Sequence, residues 1–284
     1  MLPLFFIFLD IELVSYVMNR SIKVLAIYIL GIAGLLSVLF TNSFVTASTE
    51  ETTTISDEVQ WGYEGNEAPE NWGGLAKEFS ACAIGSQQSP INIETQDVTD
   101  ADLPEIEFAY QQAPLNIVNK GHTIQVDYAP NSSITLEGAK YDLIQYHFHD
   151  PSEHEVDGFQ YPMEVHLVHQ NAETGDLAVV GVFLEYGAEN KALTPLWSNI
   201  PTEKGAVENV PDTEINAVDL LPEDTQNYYR YYGSLTIPPC SEVVNWIVIK
   251  EPIPVSARQV EQFTAVVGEN ARPVQELGNR FLLD

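Results

Sequence analysis

Three histidines in two strand-like runs constrain this chain more than any other feature. His147-Phe148-His149 closes one alternating run, and His166 lies in a second run, from Met163 to His169. Side chains two residues apart on a strand point to the same face, so His147 and His149 can bind one ion together. A third histidine on a neighbouring strand leaves a fourth ligand position open, which is typical of a catalytic zinc site. The segment therefore predicts two adjacent strands around a metal ion.

The residues around these histidines favour the metal site over its alternative. All six histidines of the chain lie between positions 122 and 169. A His-x-His pair alone is a weak signal, and surface or hydrogen-bonded core histidines are the alternative interpretation. Gln145 shares the face of His147, and Glu164 precedes His166 by two residues, where it can accept the free ring N–H of a ligand. Metal-bound histidines usually have such a partner.

Seven motifs occur in order along the chain. They are Trp61-Gly62-Tyr63, Gln88-Ser89-Pro90-Ile91-Asn92-Ile93, Gln145-Tyr146-His147-Phe148-His149, Pro151-Ser152-Glu153-His154, Met163-Glu164-Val165-His166-Leu167-Val168-His169, Gly233-Ser234-Leu235-Thr236-Ile237-Pro238-Pro239-Cys240 and Asn270-Ala271-Arg272-Pro273-Val274-Gln275. Together they resemble the α-class carbonic anhydrases, in particular the exported bacterial-type members. The similarity extends over roughly residues 58–284.

The resemblance implies a fold and a reaction. The expected fold is mostly β (β-rich α+β): a single domain around a large twisted, mainly antiparallel sheet with a few short peripheral helices. The expected reaction is the zinc-dependent, reversible hydration of carbon dioxide to bicarbonate and a proton, by attack of zinc-bound hydroxide with histidine-assisted export of the proton. Such an enzyme is a carbonate dehydratase, a lyase. Two alternatives are a catalytically inactive relative that serves as a binding module and a different metal hydrolase.

The resemblance also implies roles for individual residues. The zinc ligands are His147, His149 and His166. Thr236 and Glu153 form the pair that orients the nucleophile, and His122 is the proton shuttle. The alternatives are a structural surface acid at Glu153, a turn residue at Thr236 and an ordinary exposed histidine at His122.

Other residues of the expected site support the ligands or face the substrate. Gln145, Glu164 and Tyr63 are expected next to the zinc ligands or to the water of the cleft. His154 and His169 are expected to form hydrogen bonds in the protein interior. An apolar wall suits carbon dioxide, which has no dipole, and plain core packing is the alternative for its members. The wall is expected to consist of Val168, Val179, Leu235, Val244 and Trp246.

The two cysteines and the N-terminal segment predict export. The resemblance pairs Cys82 with Cys240 in a disulfide, as suits an oxidising compartment, and two unpaired thiols are the alternative. Arg20 and Lys23 precede an apolar run at 24–40, and Val45-Thr46-Ala47 is typical of a signal-peptidase site. We predict a signal-peptide region at 1–47, with Met18 as the true start, a polar tether at 48–60 and the enzyme domain at 61–284. The expected location is periplasmic or extracellular, and an uncleaved membrane anchor is the alternative.

The charge of the chain excludes some partners. Its formal net charge is −29, so nucleic acid and anionic lipid surfaces would be repelled. The resemblance implies small partners: carbon dioxide, bicarbonate and water, with zinc as the cofactor and with sulfonamides and small anions as inhibitors. A homodimer is left open.

Alternation and turn residues predict several further elements. A capping box of Ser256 and Gln259 predicts a helix that opens at Ser256, and a short helix is expected at 195–200. Strands are predicted at 122–128, 133–136, 143–149, 164–169, 178–186 and 243–250.

Overall fold

The histidine-rich segment lies in the middle of a large β-sheet. The computed structural model describes residues 59–284. The predicted signal peptide and nearly all of the predicted tether lie outside these described residues. No helix in the described part is long and apolar enough to cross a membrane. The strands in chain order are β1 (Asn92–Ile93), β2 (Glu107–Ala109), β3 (Ala113–Asn119), β4 (Ile124–Asp127), β5 (Ser133–Leu136), β6 (Ala139–His149), β7 (Glu155–Val156), β8 (Phe159–Gln160), β9 (Met163–Gln170), β10 (Leu177–Tyr186), β11 (Val207–Ile215), β12 (Tyr228–Gly233) and β13 (Val244–Val255).

The helices are short and lie outside the sheet. Single 3₁₀ turns occur at Gly65–Glu67, Pro69–Asn71, Lys77–Phe79, Thr95–Asp97 and Ala217–Leu220. The α-helices are α1 (Trp72–Leu75), α2 (Ala81–Ile84), α3 (Leu193–Trp197) and α4 (Ala257–Val267).

Ten strands form the main sheet, in the order β11-β3-β4-β6-β9-β10-β13-β12, with β5 beside β6 and β2 beside β5. Every pairing in this sheet is antiparallel except that of β10 with β13, which is parallel. A small second sheet joins β1, β7 and β8. The predicted fold class, a large and mainly antiparallel sheet with few short helices, is confirmed.

The two faces of the sheet carry different kinds of side chain. Tyr146 and Phe148 of β6 belong to the large apolar core on one face. His147 and His149 alternate with them and therefore point to the opposite face. That opposite face carries a smaller apolar cluster that includes Val168 and Trp246. The metal-binding residues thus lie on one face of the sheet, and the main core stabilises the other.

The strands around the histidines follow the predicted runs closely, whereas two other runs differ. Residue 122 lies in the turn before β4, because Gly121 has φ +84° and the turn closes with a hydrogen bond from the Lys120 N–H to the Thr123 carbonyl, 2.9 Å. β13 continues five residues beyond 250. Its distal part stays paired with β10 after a bulge between Val182 and Leu184. Pro252 and Pro254 are unusual in a paired strand, and for that reason the sequence indicated a strand end at 250.

The predicted helix at Ser256 is present as α4. Ser256 is its N-cap, and the reciprocal hydrogen bonds of the capping box with Gln259 are both formed. Val260 and Phe263 are buried on the inner side of α4. The other predicted helix occurs as α3, two residues earlier than expected, and Trp197 at its end donates a hydrogen bond to the Gln259 carbonyl, 2.7 Å.

Candidate metal centre

Strand pairing brings the three predicted ligands together. His147 of β6 lies directly opposite His166 of β9, and His149 lies opposite Glu164. The ring centroids of His149 and His166 are 4.5 Å apart, and that of His147 is 5.1 and 5.3 Å from the other two. Each imidazole offers one ring nitrogen, and the three nitrogens all lie within 4.8 Å of one another.

One nitrogen of each imidazole is already committed to a hydrogen bond. His147 Nδ1 donates to Gln145 Oε1 at 2.9 Å, and His166 Nε2 donates to Glu164 Oε1 at 2.9 Å. His149 Nδ1 donates to the carbonyl oxygen of Asn270 at 2.8 Å. These three bonds leave Nε2 of His147, Nε2 of His149 and Nδ1 of His166 as the nitrogens available to an ion.

The imidazoles are held neutral, which a metal ligand requires. Burial lowers the pKa of His149 to about 4 and, together with the neighbouring histidines, lowers that of His147 well below its ordinary value. Burial also lowers the pKa of His166, although Glu164 opposes the shift. The lone pairs of the three free nitrogens are therefore not occupied by protons near neutral pH.

One buried carboxylate, that of Glu164, orients His166 and its neighbours. Glu164 Oε1 accepts from His166 and from His154 Nδ1, while Oε2 accepts the backbone N–H groups of Glu153 and His154 at 2.9 and 2.8 Å. Burial acts to raise the pKa of Glu164, but the two imidazoles and their hydrogen bonds hold it well below its usual range. The carboxylate is therefore ionised and holds four N–H groups in place.

Glycine is required next to this carboxylate. Gly181 of β10 pairs with His166, and a Cβ atom at Gly181 would lie 2.8 Å from Glu164 Oε1. That distance is shorter than any ordinary contact. The bare backbone of Gly181 thus makes room for the carboxylate that orients His166.

A second cluster that could hold a metal consists of His154, Glu164 and His166. Its atoms are already satisfied by one another, because His154 Nδ1 contacts Glu164 at 2.8 Å and His154 Nε2 contacts the Tyr231 hydroxyl at 2.7 Å. His154 therefore acts in the hydrogen-bond network, as expected. His169 lies on the opposite face of β9, where it bonds to Tyr110 and to the Ala178 carbonyl.

Glu153 lies beside the free nitrogens, and Thr236 lies next to Glu153. Glu153 is fully buried, and its Oε1 accepts the backbone N–H of Arg272 at 2.9 Å. Its Oε2 lies 3.4 Å from His149 Nε2, and neither atom makes a hydrogen bond of regular geometry. Burial raises the pKa of Glu153 to about 7, although His166, the nearby Thr236 hydroxyl and the Arg272 N–H oppose the shift.

His122 lies at the margin of the site rather than within it. Its ring packs on Trp61, with ring centroids 4.3 Å apart. Its carbonyl accepts a hydrogen bond from the Asn270 side chain, 2.9 Å. Burial lowers the pKa of His122 to about 4, with further lowering by His149, Lys120 and Lys204. His122 is half-buried, so it is not the ordinary exposed histidine of the alternative interpretation.

Tyr63 lies close to the Glu153 carboxyl. Its hydroxyl is buried without a hydrogen-bond partner among the described residues. Burial, and then Glu153, raise the pKa of Tyr63 well above its usual value, while Arg272 opposes them. The ring packs edge-on against Trp61 and Trp72. Tyr63 thus directs a polar atom at the same region as Glu153.

The residues of the expected apolar wall occur in one cluster. Val168 pairs with Val179 across β9 and β10, and Val179 pairs with Trp246 across β10 and β13. Val244 is fully buried in the same cluster, and the partly buried Leu235 packs against it. Trp246 also lies next to His166, with ring centroids 4.8 Å apart. The wall is therefore adjacent to the histidines and on their face of the sheet.

Two distant contacts escaped the sequence analysis. The Asn270 carbonyl that orients His149 and the Arg272 N–H that binds Glu153 both come from the segment after α4. Asn270 and Arg272 belong to a motif of the family resemblance, and that motif is the signal that could have assigned them a role. The expected disulfide is also present, between Cys82 and Cys240.

The donor set fits a zinc ion. Three neutral imidazoles with one free nitrogen each are typical ligands of catalytic zinc. The unpaired atoms His149 Nε2 and Glu153 Oε2 are buried, and unpaired buried polar atoms are rare unless a ligand or water satisfies them.

Comparison with known proteins agrees with this arrangement. A family model described as eukaryotic-type carbonic anhydrase matches residues 67–283. The carbonic anhydrase of Nostoc sp. is 42% identical over 229 residues, which are 80% of this chain and 86% of that protein. The carbonic anhydrase of Pectobacterium carotovorum is 41% identical over 255 residues, 89% of this chain and 98% of that protein. The α-carbonic anhydrase from Thermovibrio ammonificans, solved with the inhibitor sulfanilamide, has a TM-score of 0.77 at 43% identity and covers 80% of this chain and 100% of its own.

Proposed function

The chain belongs to the α-class carbonic anhydrase family, and from that membership we propose how its residues perform the family's reaction. The reaction is the reversible hydration of carbon dioxide to bicarbonate and a proton, so the chain is an enzyme of the lyase class.

We propose that His147, His149 and His166 hold the zinc ion. The observation that carries this proposal is that each imidazole has one nitrogen in a hydrogen bond and its other nitrogen free. In carbonic anhydrases, zinc lowers the pKa of a coordinated water to near neutrality. The hydrogen bonds from Gln145, Glu164 and the Asn270 carbonyl fix the tautomer of each ring and its orientation.

Thr236 and Glu153 orient the attacking oxygen. A threonine hydroxyl has one hydrogen, and a carboxylate that accepts it leaves the hydroxyl oxygen free to accept another. Glu153 Oε2 is an unsatisfied buried acceptor near Thr236, and Oε1 is anchored by the Arg272 N–H. Thr236 therefore acts as an acceptor toward the nucleophile, whose lone pair then faces the carbon of the substrate.

The apolar wall binds carbon dioxide, and His122 exports the proton. Val168, Val179, Leu235, Val244 and Trp246 offer carbon dioxide a surface without charge beside the histidines. His122 is half-buried against Trp61 and lines a cavity. Histidine suits a proton relay because its ordinary pKa is near 6.5, although burial, and then His149, Lys120 and Lys204, lower the pKa of His122 to about 4. Sulfonamides are expected to inhibit the enzyme, as sulfanilamide inhibits the Thermovibrio ammonificans protein.

We further propose that the chain is exported, to the periplasm or the extracellular space, through a signal peptide at 1–47. The disulfide between Cys82 and Cys240 supports this location, because disulfides persist in oxidising compartments. Fractionation of the producing cells and N-terminal sequencing of the mature protein test the proposal. A mature chain that still begins at Met1 or Met18 would exclude cleavage.

The zinc assignment is tested by removing and restoring the metal. We expect purified enzyme to contain one zinc per chain, to lose carbon dioxide hydration activity after treatment with a chelator and to regain it with added zinc. Activity that survives complete zinc removal would contradict the assignment. A metal-loaded protein without hydration activity would instead favour the inactive binding module or the different hydrolase.

The role of Thr236 is tested by two substitutions that separate its hydroxyl from its shape. Thr236→Val keeps the branched side chain and removes the hydroxyl, whereas Thr236→Ser keeps the hydroxyl. We expect Thr236→Val to lower kcat/KM by roughly 100-fold, the usual scale for one positioned hydrogen bond in catalysis, and Thr236→Ser to lower it much less. Equal losses in both variants would contradict the role of the hydroxyl.

A further inference from the structure

A cavity lies directly beside His122. It has a volume of about 490 Å³ and is lined by the segment before the domain core, the turn around His122 and the end of the loop before β11. It is also lined by Val118, Asp127 and Val207, from β3, β4 and β11. The described zinc ligands are not among its lining residues, so it is distinct from the candidate metal centre.

This cavity is basic, although the chain as a whole is strongly acidic. The chain has 12 lysines and arginines against 41 acidic residues. Lys120 and Lys204 both line the cavity, and Asp127 is the one acid among its lining residues. The Asp127 carboxylate accepts a hydrogen bond from Gln125 at 2.5 Å, so part of its acceptor capacity is already used.

The stem of one of the two lysines packs on the glycine that precedes His122. The aliphatic stem of Lys204 crosses Gly121, where a Cβ atom would lie 2.5 Å from Lys204 Cδ. Gly121 has φ +84°, a conformation that also favours glycine. The Lys204 ammonium therefore extends over the residue that precedes His122, within 3.4 Å of Gln60 Oε1.

The charges of this cavity act on His122 itself. Besides burial and His149, the positive charges of Lys120 and Lys204 lower the pKa of His122. An anion between the two ammonium groups would offset them and favour the imidazolium. The same two lysines that disfavour a charged His122 in the free enzyme would thus attract the species able to take its proton.

We propose that the cavity lined by Trp61, Lys120 and Lys204 docks a small oxyanion base that accepts the proton of His122. Inorganic phosphate is the probe of this class. The N–H bond of the His122 imidazolium breaks, an O–H bond forms on HPO₄²⁻, and H₂PO₄⁻ leaves with the neutral imidazole restored. The inference rests on the proposed shuttle role of His122 and adds the site of the acceptor.

The test compares two buffers in wild-type enzyme and in the Lys120→Gln/Lys204→Gln variant. Phosphate is an anionic acceptor, whereas dimethylimidazole is a neutral one. At constant ionic strength, we expect the apparent KM for phosphate to rise roughly five- to tenfold in the variant, because two weak charge contacts are lost. The apparent KM for dimethylimidazole is expected to change far less. Lys77→Gln/Lys191→Gln, at two exposed lysines outside the cavity, is the matched control for net charge. An equal change for both buffers, or the same change in the control, would overturn the docking site.

Direct binding gives a second readout. Phosphate titrated into wild-type enzyme is expected to shift the NMR resonances of the His122 ring and to raise its pKa, and the double lysine variant is expected to lose that response. Sulfate has a similar charge and shape but is a far weaker base. We expect it to compete with phosphate for the site and to support no proton transfer. A response of His122 that is identical in the variant would contradict the proposal.

A third variant separates failure of the docking site from failure of the shuttle. His122→Ala is expected to lower kcat in dilute buffer of either kind. If His122→Ala has the kcat of wild type, the shuttle role is wrong and the docking proposal falls with it. If His122→Ala lowers kcat while the lysine variant keeps the wild-type ratio of the two buffer KM values, only the docking site is wrong.

Discussion

Glu164 shows at the scale of one residue how the metal centre is held. It is fully buried, and each of its two oxygens accepts two N–H groups. A buried carboxylate is tolerated only when its hydrogen bonds and neighbouring dipoles compensate for the lost hydration. Four donors achieve that here, and the resulting carboxylate fixes both His166 and His154. The ligand geometry therefore depends on a residue that does not itself bind the metal.

Glu164→Gln is expected to weaken zinc binding. A glutamine has one acceptor oxygen, so its NH₂ group would face two of the four N–H donors. We expect zinc affinity to fall about 10- to 100-fold, measured as faster loss of zinc to a chelator. Glu185→Gln, at an exposed position of β10, is the control and is expected to retain zinc as wild type does. Unchanged zinc loss in Glu164→Gln would contradict the positioning role.

His169 predicts a pH dependence of stability on the other face of the sheet. Its Nδ1 donates to the Ala178 carbonyl, and Nε2 accepts from the Tyr110 hydroxyl at 2.8 Å. These two hydrogen bonds of the folded protein require the neutral form of the ring. Burial lowers its pKa to about 4 from an ordinary 6.5. The unfolded chain therefore takes up the proton first as pH falls. The stability from His169 is complete above pH 6.5 and is lost progressively as pH falls to about 4.

Unfolding of metal-free protein at several pH values measures this effect. A shift of this size corresponds to about 3 kcal/mol of unfolding free energy between neutral pH and pH 4. His169→Gln lacks the titrating ring, so its stability should fall less steeply over the same range than that of wild type. Parallel curves for the two proteins would show that His169 does not contribute. Metal-free samples exclude any contribution from zinc release.

At the scale of elements, β12 connects the metal centre to the loop that carries Thr236. The Tyr231 hydroxyl contacts His154 Nε2 at 2.7 Å and Ser89 Oγ at 2.9 Å. Ser89 in turn exchanges hydrogen bonds with Ser234, whose carbonyl accepts from Trp246 Nε1. All of these side chains are buried. A strand at the sheet edge thus stabilises the ligand side of β9 and the loop after β12 together.

Tyr231→Phe and Tyr232→Phe separate this network from the rest of β12. Tyr231→Phe leaves His154 Nε2 and Ser89 Oγ short of a partner, and we expect a loss of about 1–3 kcal/mol in unfolding free energy. Tyr232 is 46% exposed and its hydroxyl bonds to the Glu242 carbonyl, so Tyr232→Phe is expected to change stability by less than about 0.5 kcal/mol. Chemical denaturation of both variants measures the difference, and equal losses would count against the network.

The elements differ in how far their residues reveal them. β6, β9 and β10 were predicted because alternating or continuous apolar runs mark strands whose faces are buried. β3, β11 and β12 were not predicted. β11 lies at the edge of the sheet, is largely exposed and contains Pro211, so its residues lack a strand pattern. β12 is dominated by tyrosines, and only its pairing with β13 determines which of them are buried.

At the scale of the whole molecule, the disulfide restrains the unfolded chain. Cys82 and Cys240 are 158 residues apart in sequence. A loop of that length is expected to add about 5 kcal/mol to the unfolding free energy through the lost entropy of the unfolded chain. We expect reductant to lower the denaturant midpoint of wild type accordingly. The Cys82→Ala/Cys240→Ala variant should unfold at the lower midpoint with or without reductant. A wild-type midpoint that reductant leaves unchanged would contradict this contribution.

Short-range patterns of the chain determined that His147 and His149 share a face, that Glu164 can serve His166 and that Ser256 opens a helix. These properties depend on neighbours within a few residues, because the strand repeat and the capping box are local. Only the tertiary structure decided which carbonyl orients His149 and which N–H anchors Glu153, since Asn270 and Arg272 reach them across 121 and 119 residues of sequence. It also decided that two lysines of an acidic chain lie beside His122. Such contacts arise when distant segments pack together, and no local pattern records the packing of segments that far apart.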